Sequence, residues 1–157
     1  CGWTATTTPA DWSRITAVEA VNGASLRVGK AEGGIAFWQK RLSEGYRLTA
    51  IGGSDNHDAT DVAGEKQSPI GTPATVVWTS ELSQQGILAG VRSGRVFIDL
   101  TNTPGRSMDV DISTPDATGH MGSTIRLSPG QSANVVVKLN GVDRPGISTY
   151  KIGRAHV

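Results

Sequence analysis

Residues 17–22 read AVEAVN, an alternating stretch that predicts a β-strand. Residues 34–44 follow as a helix, because apolar side chains recur there at helical spacing and Gly45 stands where a left-handed cap belongs. Residues 46–51, YRLTAI, predict a second strand that ends at two glycines. A strand, a helix and a strand in this order are typical of an α/β unit with parallel strands.

Two further strands and a helix are predicted before residue 100. Residues 75–78 form a short apolar strand, and residues 95–100 form another. Between them, Ser80 is the expected N-cap of a helix that ends at Gly94. We therefore assign residues 1–100 to one α/β domain.

The character of the chain changes after residue 100. Three short alternating runs, at residues 108–112, 123–127 and 133–139, are separated by clusters of Gly, Pro, Asn and Asp. This pattern predicts a small antiparallel domain, similar to a β-sandwich, over residues 101–150. Residues 151–157 read KIGRAHV, which resembles the translation of a common sequencing adapter, so we exclude this tail as an artefact from functional reasoning.

Composition excludes several classes of function. The chain has 157 residues and a formal net charge of +1, from 15 basic and 14 acidic side chains. This near-neutral balance, with no run of Lys or Arg, predicts no nucleic-acid partner. No apolar stretch approaches the roughly 20 residues that a membrane span needs. The chain starts at Cys1 rather than at methionine, so we expect it to begin inside a longer protein or after processing, and the compartment stays unknown, an extracytoplasmic one included.

One stretch carries candidate chemistry: residues 51–58, IGGSDNHD, at the end of the second predicted strand. If the backbone stays extended there, Asp55 and His57 project to the same side, where a carboxylate and an imidazole can bind one divalent cation. The alternative is a turn in which Asp55 accepts hydrogen bonds from backbone amides and His57 is solvated. Asp58 and Asp61 follow directly and are expected to solvate the loop.

The chemical stretch is one of five that form an ordered series, which reads AVEAVNG, FW (residues 37–38), LTAIGGSDNHD, IGTPATVV and AGVRSGRVF along the chain. From about Trp12 to Leu100 this series resembles the C-terminal half of the polymerase-and-histidinol-phosphatase (PHP) superfamily, in its CehA/McbA-type metal-dependent hydrolase branch. The resemblance implies an α/β fold, namely the C-terminal part of a distorted (β/α)7 PHP-type barrel, followed by the small antiparallel β domain.

The resemblance also implies cofactors and site residues. Asp55 and His57 match the last metal-binding motif of the superfamily and are expected to be metal ligands. The complete protein is expected to hold two or three divalent ions, of Zn, Mn or Fe. Asn22 ends the preceding strand and is a candidate substrate contact. Glu19, on the same strand, is expected to make a structural hydrogen bond, and His120, in the β domain, is expected to be a turn residue.

The other ligands of the superfamily, including its opening His-x-His motif, belong upstream of Cys1. We therefore expect a fragment of a metal-dependent hydrolase, either a phosphoesterase or an ester or carbamate hydrolase, that uses metal-activated water on a small-molecule ester or phosphoester. Because zinc catalysis needs at least three protein ligands, the fragment itself should bind metal weakly and have little or no activity. The competing hypothesis is a non-catalytic carbohydrate- or protein-binding β module with an α/β lead-in.

Overall fold

The computed structural model describes residues 11–30 and 33–142. The adapter-like tail at residues 151–157 and the first residue, Cys1, lie outside these described residues. The elements, in chain order, are a 3-10 helix at Trp12–Arg14, β1 at Ala17–Asn22, α1 at Gly23–Arg27, α2 at Gly33–Ser43, β2 at Thr49–Gly53, β3 at Ala74–Val77, α3 at Gln84–Arg92, β4 at Val96–Asp99, β5 at Ser107–Ser113, β6 at Thr118–His120 and β7 at Asn134–Asn140.

β1 and β2 form a parallel pair, and α2 packs on it as the crossover helix. The helix is fixed on the pair by the indole of Trp38, whose Nε1 donates a hydrogen bond of 2.7 Å to the carbonyl oxygen of Leu48. Gly45 has a φ of 89° and closes the helix, since the N–H of Tyr46 donates back to the carbonyl of Arg41. The predicted strand–helix–strand unit is therefore confirmed.

β2 differs from its predicted bounds, because it begins at Thr49 and includes both glycines. The reason lies in packing: a Cβ atom at Gly52 would lie 2.8 Å from Cγ2 of Ile98 and 3.1 Å from the carbonyl oxygen of Val21. Glycine is thus required by close approach of neighbouring strands and does not break this strand.

The barrel expected from the resemblance is wrong. β3 and β4 pair antiparallel, with Ala74 opposite Asp99, whereas a barrel of this type needs parallel strands in one closed ladder. The described residues hold three α-helices and short strands in small sheets of two, two and three strands, which is a mixed α/β arrangement rich in β-structure. α3 begins at the N-cap Ser83 rather than after Ser80, and Gly94 ends it as predicted.

The side chain of Thr75 provides a hydrogen-bonded link between the parallel pair and the antiparallel pair, beside the close packing of Gly52 on Ile98. The hydroxyl of Thr75 on β3 accepts a hydrogen bond of 2.8 Å from the N–H of Gly52 on β2 and donates one of 2.7 Å to the carbonyl oxygen of the same residue. These two bonds satisfy both main-chain groups of Gly52 without a backbone ladder between β2 and β3.

The last third forms an antiparallel sheet in the order β6-β5-β7, which confirms the predicted antiparallel β-structure. The strand predicted at residues 123–127 is wrong, since this stretch has no regular structure and the strand that pairs with β5 is Thr118–His120. Ser123 folds the chain back on β6, because its N–H donates to the carbonyl of His120 and its Oγ accepts from the N–H of His120.

The buried apolar side chains lie mainly on the α/β part: Trp12, Ala20, Val21, Leu48, Phe97 and Pro73. This part contacts the antiparallel sheet through the indole Nε1 of Trp78, which donates to the carbonyl oxygen of Met108 at 2.9 Å. Among the described residues no helix has the length and apolar character that crossing a bilayer requires.

Candidate functional site

The candidate site lies where β1 and β2 end. Asn22, the last residue of β1, stands opposite Gly53, the last residue of β2. The chain leaving β2 then rests directly on the start of α1, because a Cβ atom at Gly23 would collide with the backbone of Ser54. The parallel pairing and this close approach bring the polar residues after both strands to one edge of the sheet.

Asp55 and His57 are brought into contact at this edge. Nε2 of His57 lies 2.8 Å from Oδ1 of Asp55. The two side chains converge, as predicted, but the backbone between them is not extended: Asp55 has a φ of 55°, the left-handed region, which aspartate adopts more readily than most residues. The Asp55 side chain is 41% exposed and that of His57 is 79% exposed, so the pair is open to solvent.

The surroundings of Asp55 hold its carboxylate in the ionised form. Its pKa is lowered from the ordinary value, chiefly by the hydrogen bond with His57 and next by one from the side chain of Asn22. Because hydrogen bonds to the charged form favour it, Asp55 stays a carboxylate over the whole neutral range. One part of the turn hypothesis is found, since His57 is largely exposed to solvent, and the other part is not, since Asp55 contacts the side chain of His57 and not a backbone amide.

Asn22 holds a position between the two strand ends. Its Oδ1 accepts a hydrogen bond of 3.2 Å from the N–H of Ser25 and so caps α1, while its Nδ2 donates one of 3.1 Å to Oε2 of Glu19. A bulge at Ala20 shifts the register between Glu19 and Val21. Because one extra residue reverses the alternation of faces, Glu19 and Asn22 point the same way despite standing three apart. The structural hydrogen bond expected of Glu19 is therefore confirmed.

The loop after His57 is ordered by its own side chains. Nδ2 of Asn56 donates to the carbonyl oxygens of Asp61 and Ser68, at 3.0 and 2.9 Å. The carboxylate of Asp61 accepts three backbone hydrogen bonds, from residues 65, 66 and 67 at 2.7–3.0 Å, which lower its pKa, that from Gln67 most. Asp58 accepts from the N–H and the hydroxyl of Thr60. Asp58 and Asp61 thus bind the loop itself rather than His57.

Sequence reasoning missed two residues that position the site. Asn56 ties both ends of the loop together, and Oε1 of Gln67 accepts a hydrogen bond of 2.9 Å from the N–H of His57. The only signal for Asn56 in the sequence is its place between the two candidate ligands. Gln67 carries no signal, because its contact depends on how the loop closes.

Asp55 and His57 provide two of the ligands that a metal ion needs. An ionised carboxylate and an imidazole in contact with each other are a chemically suitable pair for Zn, Mn or Fe. Within residues 11–30 and 33–142, however, no group of three or more His, Cys, Asp or Glu side chains could hold a metal ion. Asp55 and His57 therefore fit part of a coordination sphere and do not complete one.

A second His–Asp pair lies on the antiparallel sheet. His120 is the last residue of β6 and the first of the turn closed by Ser123, and it stands opposite Asp111 in the β5–β6 ladder, with Nδ1 2.6 Å from Oδ1 of Asp111. Nζ of Lys138 lies 2.6 Å from Oδ2 of the same carboxylate. Lys138 and then His120 lower the pKa of Asp111. The charge of Asp111 is therefore already neutralised by a neighbouring cation.

Asn22, Asp55 and His57, the three site residues predicted from the sequence, thus lie together at one edge of the parallel pair. Comparison with known proteins adds nothing to this geometry: no protein-family model, no curated protein and no solved structure matches the chain.

Proposed function

We propose that this chain supplies part of the active site of a metal-dependent hydrolase, in which Asp55 and His57 are ligands of a divalent ion. The observation that carries the proposal is the 2.8 Å contact between Oδ1 of Asp55 and Nε2 of His57 at the carboxyl ends of two parallel strands. The carboxyl ends of strands in α/β structures are where such proteins place their sites. The substrate class is a small-molecule ester or phosphoester.

Each residue of the site has a role that its contacts support. The hydrogen bonds from His57 and Asn22 keep Asp55 ionised, as a ligand must be. The left-handed backbone at Asp55 turns both side chains to one point that solvent reaches. The Nδ2 group of Asn22 donates to Glu19, which fixes Asn22 beside Asp55, and the substrate contact expected of Asn22 stays a prediction. A divalent ion, when bound, supplies a water whose pKa is low enough to give hydroxide near neutral pH.

Two ligands do not make a catalytic centre. Catalytic zinc sites use three protein ligands and an open position, so the remaining ligands would come from residues other than those described. The PHP resemblance supports this proposal at the level of the Asp-x-His motif, and not at the level of the barrel. We expect the chain by itself to bind divalent ions weakly and to show little or no hydrolytic activity.

The competing proposal is a non-catalytic carbohydrate- or protein-binding module, in which the residues around Asp55 form only a turn. That hypothesis leads one to expect the two side chains to point apart into solvent. The contact between them and the lowered pKa of Asp55 favour the metal-ligand role.

Binding of Mn²⁺ to the chain, followed by NMR, tests the proposal. A bound Mn²⁺ ion broadens the signals of nearby nuclei, so we expect selective loss of the signals of Asp55, His57 and their neighbours at low Mn²⁺ concentration. The effect should be lost in Asp55→Ala and in His57→Ala. It should also weaken as the pH is lowered, since protons compete with metal for both side chains.

The second His–Asp pair provides a matched control. His120 is 79% exposed, like His57, and lies 2.6 Å from a carboxylate oxygen, but Lys138 already neutralises Asp111. We expect Mn²⁺ to leave the signals of His120 unchanged, and His120→Ala to leave the broadening at His57 unchanged. Equal broadening at both pairs, or broadening that persists in the Asp55→Ala variant, would contradict the proposal.

A further inference from the structure

A cavity of about 660 Å³ opens at the other end of β2, away from Asp55 and His57. It lies between α2, the end of α3 and the segment that follows β6. Ligand cavities in proteins commonly have volumes of roughly 300–1,000 Å³. β2 separates the two places, because the cavity is lined at Leu48 and Thr49 whereas the strand ends at Gly53.

The charge of the cavity lining is entirely positive. Arg47, which precedes β2, and Arg92, in the last turn of α3, both line it, and no acidic residue does. Both arginines are exposed, and neither forms an ion pair with any residue in the described ranges. Two arginines that line one cavity, without a carboxylate, favour an anion, which guanidinium groups bind through charge-assisted hydrogen bonds.

The groups near the cavity that would repel an anion are the carbonyl oxygens at the end of α3. These oxygens carry partial negative charge, but three of them accept hydrogen bonds within the protein. The N–H and hydroxyl of Ser93 bind the carbonyl of Ala89, and the N–H of Arg95 binds that of Gly90. The hydroxyl of Thr49 donates to the carbonyl of Val91 at 2.7 Å. Ser123, in contrast, accepts through Oγ from the N–H of His120 and keeps its own hydrogen to donate.

One side of the cavity is apolar. The indole of Trp38 has its N–H engaged by the carbonyl of Leu48, so it offers its ring to a ligand. Leu42 lies one turn further along α2 and is 39% exposed. Leu48 is buried and forms part of the floor. An aromatic ring and a leucine beside two arginines suit a molecule that joins an apolar body to one anionic group.

We infer that this cavity binds a small organic anion, one that carries a carboxylate or a phosphate on an apolar body, with Arg47 and Arg92 holding the anionic group and Trp38 and Leu42 contacting the apolar part. The inference is independent of the metal-ligand role proposed for Asp55 and His57.

Titration of the chain with four probes, followed by backbone and indole NMR signals, tests this inference. Phenyl phosphate and phenylacetate carry both parts of the expected ligand, inorganic phosphate carries only the anion, and benzyl alcohol carries only the ring. We expect one or both aromatic anions to shift the signals of Trp38 and of residues 92–94 and 122–124. Phosphate and benzyl alcohol should bind at least about tenfold more weakly, because each lacks one set of contacts.

Variants separate a built site from general attraction to positive charge. Arg47→Gln and Arg92→Gln should each weaken binding of the aromatic anions about tenfold, the effect of losing one charge-assisted hydrogen bond. Arg27→Gln, at an exposed arginine on α1 outside the cavity, is the matched control and should leave binding unchanged. Asp55→Ala should also leave it unchanged, so that failure of the metal proposal is distinguishable from failure of this one.

Three outcomes would overturn the inference. One is that neither aromatic anion shifts the signals of Trp38 at millimolar concentration. Another is that the double variant at Arg47 and Arg92 binds as tightly as the original chain. The third is that inorganic phosphate binds as tightly as phenyl phosphate and shifts the same signals, which would show attraction of charge without a contribution from the apolar wall.

Discussion

At the scale of single residues, Asp99 at the end of β4 is the acidic side chain most deeply placed among those described, with 4% of its surface exposed. Its Oδ1 accepts from the N–H of Thr101 and from Nη1 of Arg106, and its Oδ2 accepts from the N–H of Thr103. Burial raises the pKa of Asp99, but these hydrogen bonds and the charge of Arg106 outweigh burial and hold the pKa below its ordinary value.

This arrangement predicts an effect of pH on stability. Because the pKa of Asp99 is lower in the folded chain than in the unfolded chain, its stabilising contribution is present above the unfolded value, about 4, and is lost as the pH falls through the folded value. Asp99→Asn should lower the free energy of unfolding by about 2 kcal/mol at neutral pH, because the buried carboxylate loses its charge-assisted hydrogen bonds with Arg106 and the two backbone N–H groups, and by less in acid. Denaturant unfolding at several pH values measures both.

Asp109→Asn is the control for that variant. Asp109 lies on β5, and its side chain accepts only a local hydrogen bond from the N–H of Val110 among those found. Asp109 is half-buried opposite Lys138, so its replacement should cost a weak ion-pair interaction at most, no more than about 1 kcal/mol. An equal loss in the two variants would show that the network around Asp99 is not what stabilises the chain.

The contacts of Asp55, His57 and His120 show which features of a site can be predicted from the sequence and which cannot. The convergence of Asp55 and His57 could be predicted from their spacing, although the backbone reaches it through a left-handed residue instead of an extended one. The partner of His120 could not, since Asp111 lies nine positions away and meets it only through the β5–β6 pairing. A contact that depends on the pairing of two strands produces no pattern in the sequence around either residue.

At the scale of elements, helix α2 and strand β1 were predictable to within one residue, because their periodicity and caps are local. The start of α3 was not, since Ser80 and Ser83 are both acceptable N-caps and only the contact from Gly86 N–H to Ser83 Oγ selects the second. The direction of β3 relative to β4 is likewise set by packing of non-adjacent segments. The barrel prediction failed at this scale.

The joint between β2 and β3 gives an element-scale prediction. Thr75→Val keeps the shape of the side chain but removes the hydroxyl that binds both main-chain groups of Gly52. We expect the free energy of unfolding to fall by about 2 kcal/mol, because a partly buried N–H and C=O lose their partner. Thermal or denaturant unfolding measures the loss.

Thr75→Ser is the matched variant, since it keeps the hydroxyl and removes one methyl group. It should cost about 1 kcal/mol or less, the value of one buried methyl group. If the valine variant were as stable as the original chain while the serine variant lost stability, the methyl contact rather than the hydrogen bonds would join the two strand pairs.

At the scale of the whole molecule, the α/β part and the antiparallel sheet touch through a tight backbone contact. A Cβ atom at Gly122, which has a φ of 85°, would collide with the carbonyl oxygen of Ser93 at the end of α3. Gly122→Ala should therefore lower the free energy of unfolding by the cost of a left-handed alanine, about 1 kcal/mol, plus about 1–3 kcal/mol for overpacking.

Gly130→Ala separates these two costs. Gly130 has a φ of 84°, and a Cβ atom there would meet nothing within 4 Å. It should lose only the conformational part, about 1 kcal/mol. Equal stability of the two alanine variants, measured by denaturant unfolding, would show that the contact at Gly122 does not hold the parts together. The boundary predicted at residue 100 stays a prediction.

The internal hydrogen bonds of the loop that follows His57 also determine which of its positions tolerate substitution. Asn56 and Asp61 satisfy its backbone groups from within, so its shape depends little on the sheet that carries it. Exposed positions such as Ala59, Val62 and Ala63 can then diversify without disturbing the frame beneath. Substitutions at these three positions, natural or designed, would change the surface beside Asp55 and His57 and leave the backbone of the loop unchanged.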